Sequence, residues 1–168
     1  MEEDSVLSSF DCGDSDLNDF LLNDAKNYLQ AMLAVTYILK DDENIVAYFC
    51  LSYDSLTRSI ELTDVDKALW NKVGRKIPNS KRRRNYPAVK IGRLAVDAKY
   101  AGLGIGRIII DTVAIMYVSE KHHAACRFIT VDAYRSALTF YEKNNFKYLT
   151  SKDIDDDRRA MYLDLKTL

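Results

Sequence analysis

Three of the six glycines in this 168-residue chain fall within five positions, as Gly102, Gly104 and Gly106. An apolar, strand-like run over residues 89–96 precedes them, and a long apolar run of helical type over residues 107–121 follows. A glycine-rich turn between a strand and a helix lets backbone segments approach closely and leaves N–H groups pointing outward. Because the positive end of the helix dipole lies behind those donors, the pattern favours a bound phosphate or pyrophosphate. The alternative is a tight turn that packs closely and binds no ligand.

Two common nucleotide-binding motifs do not match this turn. A P-loop ends in Gly-Lys followed by Ser or Thr, and no such residues follow the glycines here. A dinucleotide-binding fingerprint places its third glycine three residues after the second, but counting from Gly104 or Gly106 gives Arg107 or Ile109. The sequence therefore predicts an anion site of another type.

Composition places the chain among globular proteins. Hydrophobic residues make up 48% and charged residues 29%, which argues against disorder, and no apolar run reaches the ~18 residues of a membrane span. We therefore expect one domain over residues 1–168 that does not associate with a membrane. Because the first residues are acidic, we also expect no secretory signal.

The cysteines and histidines indicate neither disulfides nor a metal. Cys12, Cys50 and Cys126 are odd in number and far apart, which fits neither a disulfide framework nor a zinc site. We therefore expect a reducing, cytoplasmic compartment. The neighbouring His122 and His123 point to different sides of a helix near its end, where interaction with the helix dipole is favoured over metal binding.

The net charge of −1 hides a strong asymmetry. Residues 1–25 carry eight acids and no base, whereas residues 67–96 carry ten bases and no acid. Such a basic segment attracts a polyanion. The alternative is a solvated loop that packs against the chain's own acidic parts. The densest run of bases is Lys81, Arg82, Arg83 and Arg84.

Hydrophobic periodicity and turn residues predict a mixed α/β domain. The first half is predicted to contain a helix from an N-cap at Ser15 to about residue 29, a hairpin of strands 34–39 and 45–52, and a short helix over 64–73 ending at Gly74. A strand over 89–96, a helix over 107–121 and a strand over 127–131 follow. The chain then forms a helix over 135–144 with a left-handed stop at Asn144 or Asn145, and strands over 146–149 and 160–165. The antiparallel first half excludes a doubly wound parallel sheet.

Three motifs together resemble the GNAT N-acetyltransferase superfamily. They are Ile91-Gly92-Arg93-Leu94-Ala95-Val96-Asp97, then Gly102-Leu103-Gly104-Ile105-Gly106-Arg107, then Ala137-Leu138-Thr139-Phe140-Tyr141-Glu142-Lys143-Asn144-Asn145-Phe146. The segment Phe10-Asp11-Cys12-Gly13 with Leu17-Asn18-Asp19-Phe20-Leu21 is similar to a narrower branch, which holds bacterial toxins that acetylate aminoacyl-tRNA and uncharacterised relatives. The resemblance covers residues 10–165. It implies a single GNAT-like domain with a central mixed sheet, a β–glycine turn–α unit, flanking helices and a basic insertion around residues 55–87.

The resemblance also implies acetyl-CoA as co-substrate, with no metal. In that superfamily the glycine turn binds the pyrophosphate, and the preceding strand lies beside the pantetheine arm. Carried over, backbone groups of Leu94, Ala95 and Val96 would contact the pantetheine and the thioester. The amides of Ala101, Gly102, Leu103, Gly104, Ile105, Gly106 and Arg107 would contact the pyrophosphate. The family usually has Arg or Gln in place of Ala101, a change that removes a side chain but no backbone donor.

Tyr141 occupies the position at which the family places a tyrosine general acid. A phenol with a pKa near ~10 stays protonated at neutral pH and can protonate a departing thiolate. The alternative is a tyrosine that only packs, since the chain has eleven tyrosines. Ser136, one turn earlier, either reaches the pantetheine or caps the helix.

The acceptor stays open at this point. A small amine, a peptide or protein, and the α-amine of aminoacyl-tRNA all remain, and the last would place Lys81, Arg82, Arg83 and Arg84 against tRNA phosphates. The competing class is a non-catalytic module that binds acyl-CoA or a partner. The toxin branch further implies an antitoxin partner, and a homodimer is compatible with the resemblance.

Overall fold

The computed structural model describes residue 7 and residues 9–42, 44–57, 63–75, 77–78, 84–118 and 124–168. The chain divides into two compact units, which we call the first unit (Met1–Tyr53 and Ile91–Met116) and the second unit (Asp54–Lys90 and Tyr117–Leu168). The helices are α1 (Ser15–Asp19), α2 (Ala25–Gln30), α3 (Asp64–Gly74), α4 (Ile105–Val118) and α5 (Leu138–Lys143). The strands are β1 (Val35–Asp41), β2 (Asn44–Thr57), β3 (Asn85–Val96), β4 (Phe128–Tyr134), β5 (Lys147–Tyr148) and β6 (Arg158–Asp164).

The sheet confirms the predicted mixed α/β class. Hydrogen bonding orders its six strands β1-β2-β3-β4-β6-β5. The pair β1 and β2 is antiparallel, as the predicted hairpin requires, and the pair β3 and β4 is parallel. The pairs β4–β6 and β5–β6 are antiparallel. Helices occupy the longer connections between strands, so the architecture is a six-stranded mixed sheet with flanking helices.

The first unit contains an N-terminal helical segment and the β1–β2 hairpin. The predicted N-cap at Ser15 is wrong by one residue, because Asp14 caps α1 by accepting hydrogen bonds from the amides of Asp16 and Leu17. Aspartate accepts such bonds as readily as serine, so composition alone did not separate the two positions. Between α1 and α2 the helix passes through a π-helical turn over Phe20–Asp24. The core of this unit is formed by Phe10, Phe20, Leu21, Ile45, Tyr48, Cys50 and Ala95.

The second unit packs α3 and the ends of the strands around aromatic side chains. Its core residues are Leu56, Trp70, Val73, Tyr86, Ala88, Phe128 and Tyr162. Helix α3 confirms the predicted short helix, with Thr63 as its N-cap. The Asp66 carboxylate is only 3% exposed and accepts hydrogen bonds from the Thr150 hydroxyl at 3.1 Å and the Ser151 amide at 2.9 Å. These bonds fix α3, the start of the basic segment, on the second unit.

The end of α5 confirms the predicted left-handed stop. Asn145 has a φ of 66°, a conformation that asparagine adopts more easily than most residues. The amide of Asn145 donates to the carbonyl of Glu142 at 3.0 Å, and the amide of Phe146 donates to the carbonyl of Tyr141 at 3.0 Å. These bonds satisfy carbonyls that the last helical turn would leave unpaired.

None of the helices in the described part of the chain combines the length and the apolar character that crossing a bilayer requires. Lys81, Arg82, Arg83, His122 and His123 lie outside the described residues.

Candidate active site

The glycine turn of the first unit has the backbone conformation that its composition predicts. Gly102 and Gly104 have φ angles of +79° and +78°, a region in which a side chain is strained. Leu103 between them has a negative φ. Residues of opposite φ sign in succession can turn their N–H groups toward one side, as in anion-binding concavities. A Cβ built on Gly102 or Gly104 meets nothing within 4 Å, so the turn is open to a ligand.

The donors of this turn are available. The amides of Gly102, Gly104, Ile105, Gly106 and Arg107 have no hydrogen-bond partner among the described residues. The first bond of α4 is donated by Ile108 to the carbonyl of Gly104 at 3.2 Å, which leaves the amides of Ile105, Gly106 and Arg107 without a partner within the helix, as at any helix start. Unpaired donors at the positive end of a 14-residue helix fit the diphosphate of an acyl-CoA.

The side chains of the turn contribute less to the anion site than its backbone amides do. Ala101 and Leu103 are exposed, and the exposed Arg107 side chain lies 3.8 Å from the carboxylate of Asp111, one helical turn on. An exposed ion pair of this kind contributes little to stability. Arg107 therefore places an exposed cation at the helix start.

The strand before the turn places residues 94–96 past a short parallel ladder. This ladder pairs Ala88, Val89 and Lys90 of β3 with three residues of β4. Leu94 and Val96 are half-buried, whereas Ala95 is buried in the core of the first unit. The three residues thus lie on the same unit as the glycine turn.

Tyr141 lies in the second unit, on α5. It is 6% exposed, and its ring contacts Phe140 and Phe146 edge-on at centroid distances of 5.0 and 5.2 Å. Burial raises the pKa of the Tyr141 phenol above its ordinary value, because ionisation would place a charge in an apolar environment. Its hydroxyl makes no hydrogen bond with the described residues. The phenol therefore keeps its proton throughout the neutral pH range and has that proton available to donate.

Ser136 lies in the second unit, on the 3₁₀ turn Arg135–Ala137 that leads into α5. It is exposed, and no side-chain capping bond is made at the start of α5. The capping alternative for Ser136 is therefore not seen. Arg84, the one described member of the basic run, is exposed just before β3.

Sequence reasoning included Asp97 in the first motif but did not predict its bonds beside the glycine turn. Asp97 directly follows β3 and is 3% exposed. Its Oδ1 accepts from the amide of Lys99 at 2.9 Å, and its Oδ2 accepts from the amide of Asp11 at 3.0 Å. The second bond joins positions 86 residues apart, and its donor is a backbone amide, so no side-chain pattern marks it.

No group of three or more His, Cys, Asp or Glu is placed to hold a metal ion within the part of the chain that the structure describes. The three cysteines are free thiols, and Cys50 is buried.

Comparison with known proteins gives one family and a set of similar folds. A family model described as an acetyltransferase (GNAT) domain matches residues 33–148. A structure of AtaTR bound with acetyl-CoA is 25% identical, with a TM-score of 0.73 over 96% of this chain and 87% of that one. AtaT complexed with acetyl-methionyl-tRNA is 24% identical, with a TM-score of 0.74 over 96% and 88%. A tyrosine-to-phenylalanine mutant of the toxin AtaT, bound to acetyl-CoA and the C-terminus of the antitoxin AtaR, is 22% identical, with a TM-score of 0.72 over 96% and 86%.

Proposed function

We propose that this chain, which belongs to the GNAT acetyltransferase family and is an acyl-CoA-dependent N-acetyltransferase, acts by direct attack. In this reaction a primary amine takes the acetyl group from acetyl-CoA, and Tyr141 is the general acid. The observation that carries this proposal is the set of amides of Gly102, Gly104, Ile105, Gly106 and Arg107, which have no partner among the described residues. We also propose that residues 1–168 form one catalytic domain, and that it acts in the cytoplasm, where acetyl-CoA and charged tRNA are found.

The glycine turn is the proposed grip on the donor. Backbone N–H groups of Gly102 to Arg107 donate to the diphosphate, and their positions need no side chain. Backbone groups of Leu94 to Val96 hold the pantetheine arm, as the family resemblance implies. Alanine at position 101 removes a side-chain contact that relatives commonly have, but the amide donors stay in place.

Tyr141 supplies the proton for the leaving thiolate. Attack by a neutral amine on the thioester forms the C–N bond and breaks the C–S bond; the nitrogen loses a proton to solvent, and the leaving sulfur gains one from Tyr141, whose phenolate is then reprotonated from solvent. The raised pKa of Tyr141 keeps its phenol protonated before the reaction. Without a competing hydrogen bond to a described residue, the phenol O–H is free to donate to that sulfur. Ser136, exposed one turn earlier, is proposed to contact the pantetheine.

The α-amine of aminoacyl-tRNA is the acceptor that we favour. Two observations support it: the similar fold of AtaT was solved with acetyl-methionyl-tRNA, and residues 67–96 of this chain carry ten bases without an acid. An α-amine with a pKa of about 8 has a neutral fraction on the order of a tenth at pH 7, whereas a lysine with a pKa of about 10.4 has a far smaller one and needs a base to remove its proton. Lys81, Arg82, Arg83 and Arg84 are proposed to contact the tRNA backbone.

Small amines and proteins form a second acceptor class, which is the competing outcome.

The toxin branch also leads us to propose an antitoxin partner, and we propose a homodimer as the form of the enzyme. These partners rest on the resemblance alone.

The test is mass spectrometry of total tRNA and protein after incubation with isotope-labelled acetyl-CoA. We expect label on the amino-acid α-amine of charged tRNA, and no label with Tyr141→Phe. Label on protein lysines or free amines would show that the acceptor is a protein or a small amine, and the proposed acetyl transfer itself would stand. Absence of label and of CoA release with every acceptor would overturn the reaction itself.

A further inference from the structure

The segment Phe10–Gly13 lies outside the proposed chemistry, yet it is bonded to the start of the glycine turn. Asp11 donates its amide to Asp97 Oδ2 at 3.0 Å, and its carbonyl accepts from the amide of Ala98 at 2.8 Å. Two bonds in opposite directions join one residue of this segment to two consecutive residues after β3. Such a pair fixes both the distance and the orientation of the two backbones.

The other oxygen of Asp97 acts on the turn itself. Oδ1 accepts from the amide of Lys99 at 2.9 Å and so caps the 3₁₀ turn Ala98–Tyr100. The backbone then continues through Ala101, whose amide donates to Ala98 at 3.3 Å, into Gly102. The backbone of Asp97 is also held, since its amide donates to the carbonyl of Val46 at 2.9 Å.

We propose that Asp97 is a positioning residue for the diphosphate grip, acting as a clamp between Asp11 and the entry of the glycine turn. This inference rests on the proposed function. The amides of the turn bind an anion only if they converge, and those of Gly102, Gly104, Ile105, Gly106 and Arg107 are not fixed by bonds of their own, because they have no partner among the described residues. Their alignment therefore depends on the bonds made at residues 97–101.

The charge of Asp97 supports a positioning role over a chemical one. A carboxylate beside a diphosphate repels it, unless its charge is taken up by donors of its own. Both Asp97 oxygens accept backbone N–H bonds, and the side chain is 3% exposed. Its burial and its two backbone bonds give Asp97 a structural setting.

The segment that holds Asp97 is itself braced. Asp11 Oδ1 accepts from the amide of Gly13 at 2.8 Å and from the Asn18 side-chain amide at 2.8 Å. Asn18 in turn accepts from the amide of Cys12 at 3.0 Å. Phe10 packs edge-on against Tyr48, with ring centroids 5.5 Å apart. These bonds and this ring contact hold residues 10–13 in place within the first unit.

The test is calorimetric titration of CoA into the full chain, because this measurement returns a dissociation constant and a binding stoichiometry separately. In Asp97→Asn one oxygen becomes an NH₂ group that faces an N–H donor, so one bond is lost. We expect the Kd for CoA to rise on the order of tenfold, with unchanged stoichiometry. Asp11→Ala, at an exposed site, removes two bracing bonds and should raise the Kd by a smaller factor in the same direction.

Asp66→Asn is the matched control, because Asp66 is also 3% exposed and also accepts two hydrogen bonds, but in the second unit. It should lower the melting temperature and leave the Kd for CoA unchanged. The inference is overturned if Asp97→Asn and Asp11→Ala keep the wild-type Kd, or if they lower only the stoichiometry, as simple unfolding would. Should wild-type protein itself bind no CoA, the proposed function fails as well, so the two failures are distinguishable.

Discussion

Phe146 holds Tyr141 in two ways at once. Its ring meets the Tyr141 ring edge-on with centroids 5.2 Å apart, and its amide donates to the Tyr141 carbonyl at 3.0 Å. Phe140 adds a second edge contact at 5.0 Å. The phenol is therefore positioned by packing and by the end of the helix, while its hydroxyl makes no bond with the described residues.

This arrangement makes Tyr141→Phe a clean test of the acid. Phenylalanine keeps the ring contacts and loses only the hydroxyl, so we expect the melting temperature and the CoA Kd to stay close to wild type. We expect kcat to fall by on the order of 10²–10⁴, because the thiolate must leave without a proton from the enzyme. Steady-state assay of CoA release measures it, and an unchanged kcat would remove Tyr141 from the mechanism.

Gly104→Val tests the anion site. Valine at a φ of +78° is strained, and its branched side chain would occupy the open space through which the diphosphate reaches the amides. We expect the Kd for CoA to rise at least about tenfold, measured by calorimetry. Normal CoA binding by a folded Gly104→Val protein would place the anion site elsewhere.

Met32→Val is the control for strain in this comparison. Met32 also has a positive φ, 56°, lies in the first unit and is 92% exposed. Because Met32 already carries a Cβ at this φ, Met32→Val adds only the smaller cost of β-branching, at a residue outside the proposed machinery. It should lower the melting temperature less than Gly104→Val does and leave the CoA affinity equal to that of wild type.

Asn145 offers a test of the helix end. Its φ of 66° favours glycine or asparagine, so Asn145→Val should lower the free energy of unfolding by about 1 kcal/mol, whereas Asn145→Gly should change it by less than half of that. Denaturant unfolding measures both. Equal effects of the two substitutions would show that backbone conformation does not control stability at this position.

The sequence predicts best where a residue type determines backbone geometry. Gly102, Gly104 and Asn145 adopt positive φ angles because few other residues do, so the turn and the helix stop were predictable from their identity. The two β-like runs over residues 34–39 and 45–52, separated by the turn residues 41–44, predicted the hairpin for a similar local reason. Tyr141 was identified by resemblance, since nothing local separates it from ten other tyrosines.

What the sequence did not predict depends on long-range or interchangeable contacts. The bond from Asp11 to Asp97 joins two segments 86 residues apart and uses a backbone donor that every residue except proline has. The N-cap was placed at Ser15 instead of Asp14 because both side chains accept the same bonds. The π-helical turn over Phe20–Asp24 is not marked by helical periodicity.

The basic run gives a prediction about salt. If it contacts tRNA phosphates, replacing Lys81, Arg82, Arg83 and Arg84 together by Gln should weaken tRNA binding and reduce the slope of log K against log salt by on the order of one to four. Filter binding over a salt series measures it. The control removes four exposed lysines elsewhere, Lys26, Lys40, Lys147 and Lys166, and should leave the slope nearly unchanged. If both variants lost the same amount of slope, the effect would come from net charge and not from the position of the basic run.

Expression in bacteria separates the favoured acceptor from the competing class. Acetylation of the α-amine of aminoacyl-tRNA blocks its use in peptide-bond formation, so induction of the wild-type chain should arrest growth within a few generations. Tyr141→Phe should relieve the arrest at equal protein level, because it removes the proposed proton donor while preserving ring packing. Growth curves measure the arrest, and blotting measures expression.

Asp66→Asn serves as the control for a merely destabilised protein, and cells that accumulate this variant in folded form should still stop growing. Unimpaired growth with abundant, CoA-binding wild-type protein would instead favour a small amine or protein acceptor, since the reaction would then proceed without stopping translation.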